Sequence, residues 1–194
     1  MLNDRSSALT LLETRRSSAP RELTGAGPTP AEMEQILTIA ARTPDHGQLC
    51  PWRFITVATD QREMLQSVLL VGLAESDPSA SDASRQKERD FAHYAGQLVV
   101  LVSAPAEDHK IPLWEQQLSC GAAAMNLMLG AHALGYVAGW VTGRRAYAPS
   151  VRRAFCGPGE QIAGFIFIGN PGAELEERPR PDLADVSEPW RPES

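Results

Sequence analysis

An α+β domain is the fold this sequence predicts, and three observations carry the prediction. Four apolar stretches have strand length: residues 53–58, 97–103, 136–142 and 161–168. Helical patterns are interspersed among them. Between the second and third stretches runs the longest helical pattern, residues 112–134, whose middle (Cys120-Gly121-Ala122-Ala123-Ala124-Met125) is small and apolar nearly all round. Such a helix is either a central core helix or a helix at a subunit interface, where small residues allow close approach.

The elements follow in order. Ala8, Leu9, Leu11 and Leu12 give residues 6–13 a helical pattern that leads into Arg15-Arg16. Residues 24–28 form a Gly/Pro-rich break. Thr29-Pro30-Ala31-Glu32 is a strong helix start, with Thr as N-cap, Pro at the first position and Glu closing a capping box. That helix buries Met33, Ile36, Leu37, Ile39 and Ala40 and stops before Pro44. Residues 53–58 form the first strand, followed by a helix near 61–73. A polar Ser/Asp-rich loop is expected over 75–84, then a helix over 85–94 and a buried central strand over 97–103. Gly135 caps the long helix; the strand over 136–142, a short helix over 150–155 and the strand over 161–168 follow. That last strand ends at the Gly169-Asn170-Pro171-Gly172 turn. Residues 1–172 therefore make one domain. Residues 173–194 are a charged, Pro-rich tail, either a linker or an arm wrapped on another subunit.

Composition narrows the function. A chain of 194 residues that is 43% apolar and 22% charged can bury a sizeable core. A formal net charge of −6 argues against nucleic acid as the main partner, so a local basic cluster must serve a local anion. Cys50, Cys120 and Cys156 match no metal-ligand spacing and no even disulfide framework, as expected of reduced thiols in a cytoplasmic protein. No run approaches a membrane span and the N-terminus has no apolar signal core, so no membrane partner is expected.

Two segments carry the chemistry. In Arg15-Arg16-Ser17-Ser18, two guanidinium forks and two hydroxyls suit a terminal phosphate. The other reading is a solvated helix end, where cations are favourable for dipole reasons alone. In residues 42–52, Arg42, a Pro-Asp turn, His46, Gln48 and a Pro-Trp pair stand just before a strand. His46 and Arg42 suit the electron-rich edge of a reduced flavin, which needs donors. Glu115, in the first turn of the long helix, either answers the helix dipole or lines the pocket. Gly139-Trp140-Val141-Thr142-Gly143 ends a strand with glycines on both sides of an aromatic, where backbone can approach a ligand. Arg144-Arg145 beyond it is either a second phosphate site or solvated. No catalytic triad, zinc cluster or Walker loop is visible, and no protein acid or base is nominated as catalytic.

Taken together, Arg15-Arg16-Ser17, residues 42–52, residues 109–116, the small-residue stretch 119–125, residues 140–143 and residues 164–171 resemble the FMN-dependent nitroreductase family, in its small single-domain bacterial branch. The resemblance implies an α+β fold with a central antiparallel-type sheet flanked by helices, built as an intertwined homodimer with FMN at the interface. It implies that Arg15, Arg16 and Ser17 hold the flavin phosphate or ribityl chain. Arg42 and His46, from the other subunit, would meet the flavin, and Trp140, Val141 and Thr142 would line it. It assigns residues 130–135 to the nicotinamide donor. The implied activity is transfer of hydride from NADPH or NADH through FMN to a small electron-poor acceptor, a nitroaromatic or a quinone. The alternatives are a flavoenzyme of another reaction type on the same fold and a flavin-binding module without turnover. Two positions depart from the family pattern. Cys50 stands where many members have Gln, and Val141 where the close branch has Arg. Arg144, or Arg178 or Arg180 in the tail, is the candidate replacement cation.

Overall fold

The structure, a computed structural model, describes residues 1–191. Its elements in chain order are α1 (Ala8–Thr14), β1 (Leu23–Thr24), α2 (Pro30–Ala40), β2 (Trp52–Val57), α3 (Arg62–Ser76), α4 (Asp82–Ala92), β3 (Gln97–Ser103), α5 (Leu113–Ala133), β4 (Val137–Val141), α6 (Arg144–Tyr147), α7 (Pro149–Phe155), β5 (Gln161–Pro171) and α8 (Leu183–Val186). The sheet is antiparallel throughout. β3 lies between β2 and β5, and β5 also pairs with β4 over residues 165–169 and with β1 at 170–171.

Side-chain alternation sorts the core into two layers. Leu98, Val100, Val102, Phe165 and Phe167 face one way and pack with Leu65, Leu69, Phe91 and Val151 of α3, α4 and α7. Val99, Leu101, Ile166 and Ile168 face the other way and pack with Ile36 of α2 and Ala123, Ala124 and Leu127 of α5. This explains why residues 98–102 are buried without a break: β3 is covered on both faces. α2 begins as expected, with the Thr29 hydroxyl accepting from Glu32 N and Glu32 Oε2 accepting from Thr29 N (2.8 Å). Among the described residues no helix is long and apolar enough to cross a membrane.

Several local expectations give way. The loop over 75–84 shrinks to residues 77–81, because α3 runs on to Ser76 and the Ser81 hydroxyl caps α4 by accepting from Ser84 N (3.2 Å). β5 does not stop at a turn but continues through Gly169 and Asn170 to Pro171, since Thr24 and Leu23 pair with Asn170 and Pro171. Gly143 (φ 79°) opens the unanticipated turn of α6. The tail starts where Gly172 N donates to Glu22 O (3.0 Å), and half-buried Leu175 packs on the core; beyond it the described tail is exposed.

Candidate functional site

The first part of the site is laid along the edge of β4. α1 ends at Thr14 and the chain turns extended at Arg15. Asn3 clamps the next residue, accepting from Arg16 N (2.8 Å) and donating to Arg16 O (3.0 Å). Ser18 N donates to Ala138 O (3.2 Å), which fixes the segment against β4. The approach requires glycine at 139: a Cβ there would sit 2.3 Å from Ser18 O. Gly139 thus admits the chain's own backbone, where the sequence suggested room for a ligand.

Three guanidiniums meet at this place. Arg15 donates to Ser17 Oγ (3.1 Å), and Arg16 donates through Nε to Glu176 O (2.7 Å). Arg180 of the tail pairs with Glu177 (2.7 Å) and reaches Arg15 O (3.5 Å). Burial, then the charges of Arg180 and Arg16, push the Arg15 pKa down, and Glu177 partly offsets them. This is a positive site with one carboxylate to answer it, so its residues fit a phosphate. Of the tail cations named from the sequence, Arg180 lies beside Arg15. Arg144, another candidate, is engaged elsewhere. It and Arg145 grip the buried carboxylate of Glu88, and Arg145 also lies over the Phe91 ring (4.1 Å to its centroid). Both guanidiniums of Arg144-Arg145 are therefore engaged by Glu88, with Arg144 still partly open to solvent.

Further along β4, Trp140 folds back over β5. Its Nε1 donates to Ala163 O (3.0 Å), and a Cβ at Gly164 would collide with the indole. The side chain of Val141 packs on the core, its backbone pairs with Phe165 of β5, and Thr142 is exposed.

Arg42 and His46 lie elsewhere, in a loop clamped by one polar stripe of α5. His46 Nδ1 is 2.8 Å from Glu115 Oε2, Ser119 donates to Pro44 O (2.6 Å), and Asn126 donates to Thr43 Oγ1 (2.8 Å). Positions 115, 119 and 126 share a helix face. Buried Gln116 holds the facing loop, accepting from Ala106 N and donating to Ala106 O and Ile111 O. Ile111 in turn abuts Gly47, whose φ of 76° and lack of a Cβ permit the contact. Gln48 and Cys50 also have positive φ, and the Cys50 amide donates to Asp45 Oδ2 (2.7 Å). Arg42 is exposed, and its side chain has no hydrogen-bond partner among the described residues.

The structure does not bring all the candidate residues together within one chain. The Arg42–His46 loop runs along α5 from Asn126, which holds Thr43 next to Arg42, to Glu115, so that His46 marks one end of the helix. The Arg15 segment sits at the other end, beside Ala138, whose N–H donates to His132 Nε2 (3.1 Å). Glu115 and His132 are 17 residues apart, about 26 Å along the helix. Residues 130–135, expected to meet the nicotinamide, are closed off in their first half and open at Ala133 and Gly135, which are exposed. Gly130, Ala131 and His132 are buried, Gly130 faces Ile39, and the Arg5 guanidinium lies beside Gly135.

Sequence reasoning missed Ser119 and Asn126 as site-building residues and left Glu115 and Gln116 undecided. Their signal is present: polar side chains at i, i+4 and i+11 on a helix that is otherwise small and apolar.

Fold and site define an α+β domain equipped for an anionic ligand, and the comparisons agree with the fold. A nitroreductase-like family protein from Bacillus cereus is similar over 98% of this chain and 99% of its own, with TM-score 0.78 and 19% identity. A point mutant of NfnB, described as an FMN- and NADPH-dependent nitroreductase from sphigopyxis sp. strain HMH, has TM-score 0.72 and 19% identity over 94% of this chain and 98% of its own. In sequence, the Escherichia coli (strain K12) protein named "Putative NAD(P)H nitroreductase YdjA" is 36% identical over 167 residues, 84% of this chain and 88% of the relative. The model of the Nitroreductase family matches residues 12–170, and this chain belongs to that family. It is an oxidoreductase.

Proposed function

We propose that the chain works as a homodimeric, FMN-dependent NAD(P)H oxidoreductase that reduces small electron-poor acceptors, nitroaromatics or quinones. The observation that carries the reading is the crowding of Arg16 and Arg180 beside Arg15, which donates to Ser17, in a family whose sequence relatives are named for NAD(P)H. Bound there by its phosphate, FMN supplies the acceptance and donation of hydride. The chain's part is to hold and orient it. Arg15, Arg16, Ser17 and Arg180 take the phosphate end, the backbone of residues 140–142 lines the cofactor, and Arg42 and His46 of a second copy stabilise negative charge.

The second copy is argued from α5. Trp114, Leu118, Gly121, Ala122, Met125 and Leu129 form an apolar stripe that is exposed or half-exposed, and a Cβ on Gly121 would meet nothing within 4 Å. The stripe is centred near Gly121 and Ala122. Two copies packed antiparallel about that centre bring the Glu115 end of one helix beside the His132 end of the other, which joins the two parts of the site. The three thiols, none of them paired, agree with a cytoplasmic setting.

The test is the visible spectrum of the purified protein before and after anaerobic NADPH or NADH. Flavin absorption that bleaches is the expected result. A colourless protein that takes up no added FMN would refute the cofactor. A yellow protein that neither nicotinamide bleaches would favour the second reading, a flavin-binding module. That reading draws on the thiol of Cys50, which lacks the family's amide, and on the inward side chain of Val141.

A further inference from the structure

We infer that Glu115 is the positioning residue of His46: it fixes the tautomer and the orientation of the imidazole, so that Nε2 is the one ring atom offered to a ligand. The catalytic consequence rests on the flavin reading above; the tautomer does not.

The pair joins two elements 69 residues apart in sequence at 2.8 Å, and both side chains are well exposed (68% and 45%). Exposed ion pairs contribute little to stability. Nor does the loop need this contact to be placed. Ser119 holds Pro44 O, Asn126 holds Thr43, Asp45 holds the Cys50 amide, and Ile111 abuts Gly47. What Glu115 adds is specific to the ring. An ionised carboxylate has only acceptors, so the shared proton sits on Nδ1. Nε2 is then an acceptor in the neutral ring and a donor in the imidazolium, and it has no hydrogen-bond partner among the described residues. Two neighbouring titratable groups are engaged by backbone amides. The Asp45 carboxylate accepts from Cys50, and His109 Nδ1 accepts from Ile111 N (3.2 Å). Arg42, on the same loop, makes no side-chain bond to the ring. Ring placement of this kind matters because misplacement of a contact group by about 1 Å can cost a reaction up to about a hundredfold.

The experiment compares full-length wild type, Glu115→Ala and Glu115→Gln. Long-range 1H–15N correlation spectra of the flavin-free protein, at a pH where the ring is neutral, read the His46 tautomer. Steady-state turnover with NADPH and a naphthoquinone reads the consequence. The wild type should show the Nδ1–H tautomer. Glu115→Ala should release it toward Nε2–H and lower kcat on the order of tenfold with little change in the KM for NADPH. Glu115→Gln, whose amide oxygen still accepts from Nδ1, should keep the tautomer and recover most of kcat. Thermal midpoints should stay within about 2 °C of one another. An unchanged tautomer in Glu115→Ala overturns the inference, as does a changed tautomer with unchanged kcat. If the wild type takes up no FMN, the flavin reading fails by itself and the tautomer comparison still decides the role of Glu115.

Discussion

Leu118→Asp tests whether the site is assembled from two chains, because this residue touches neither part of the ligand site. Leu118 lies on the free stripe of α5 and is 53% exposed, so about half of the ~1.5–3 kcal/mol from full burial of such a side chain is still to be gained at a contact. That is about 1 kcal/mol per copy. An isologous interface contains the residue twice, so the loss is about 2 kcal/mol per dimer. The substitution also brings two carboxylates into an apolar contact without partners, and an unpaired buried charge costs several kcal/mol after relaxation. Even a total of about 4 kcal/mol raises the dimer dissociation constant about a thousandfold. Light scattering coupled to size exclusion, over a range of concentrations, should show a wild-type dimer and a Leu118→Asp monomer. Absorbance of the same fractions should show that the monomer has lost FMN. Arg15→Ala is the counterpart: it should remain a dimer and lose FMN through the missing phosphate contact. A Leu118→Asp monomer that keeps FMN at one per chain would refute the two-chain site, because one chain would then bind the cofactor with residues about 26 Å apart along α5.

Two further outcomes are expected. His132 is fully buried; burial first, and the Arg15 charge second, push its pKa down to about 4. Between pH 6.5 and 4 the unfolded chain takes a proton that the folded chain refuses, so this stabilising contribution, complete above pH 6.5, is lost as pH falls. The loss between pH 7 and pH 5 is about 2 kcal/mol. His132→Gln should flatten the fall by that amount in urea unfolding at the two pH values, and an unchanged fall would refute the assignment. Gly139→Ala places a methyl 2.3 Å from Ser18 O, so the Arg15–Ser18 segment must shift. FMN affinity by fluorescence titration should drop on the order of tenfold; an unaltered affinity would show that the phosphate end does not depend on this contact.

What could be read from the sequence was whatever local pattern decides. The capping box at Thr29 and the unbroken apolar run of β3 each follow from neighbours in the chain, and each folded as read; the small-residue middle of α5 forms the expected helix but is buried on one side alone, at Cys120, Ala123 and Ala124. What could not be read depends on distant partners. Gly169-Asn170-Pro171 looks like a turn until Leu23 and Thr24, about 150 residues earlier, pair with it. Arg144-Arg145 looks like a phosphate fork until Glu88 occupies it. Glu88 sits on a strongly polar helix, yet it is 1% exposed. A buried carboxylate needs a charged partner more than a surface site needs a second fork. The same logic explains Gly139, whose missing side chain serves Ser18 and Pro20.

The long helix shows why the site residues were visible while their arrangement was not. α5 carries two stripes. One is polar, at Glu115, Ser119 and Asn126, and holds the helix's own loop with Arg42 and His46. The other is apolar, from Trp114 to Leu129, and is exposed or half-exposed in the single chain. Read as one amphipathic pattern, the two stripes cancel, and the helix looks uniformly buried. Their physical meaning is a coupling. The surface that would bind a second copy is carried by the same rigid rod that places His46, and the phosphate end lies at the rod's other tip. Any ligand that bridges the two ends must therefore bind the dimer better than the monomer, and it strengthens association by the same factor by which association strengthens its own binding.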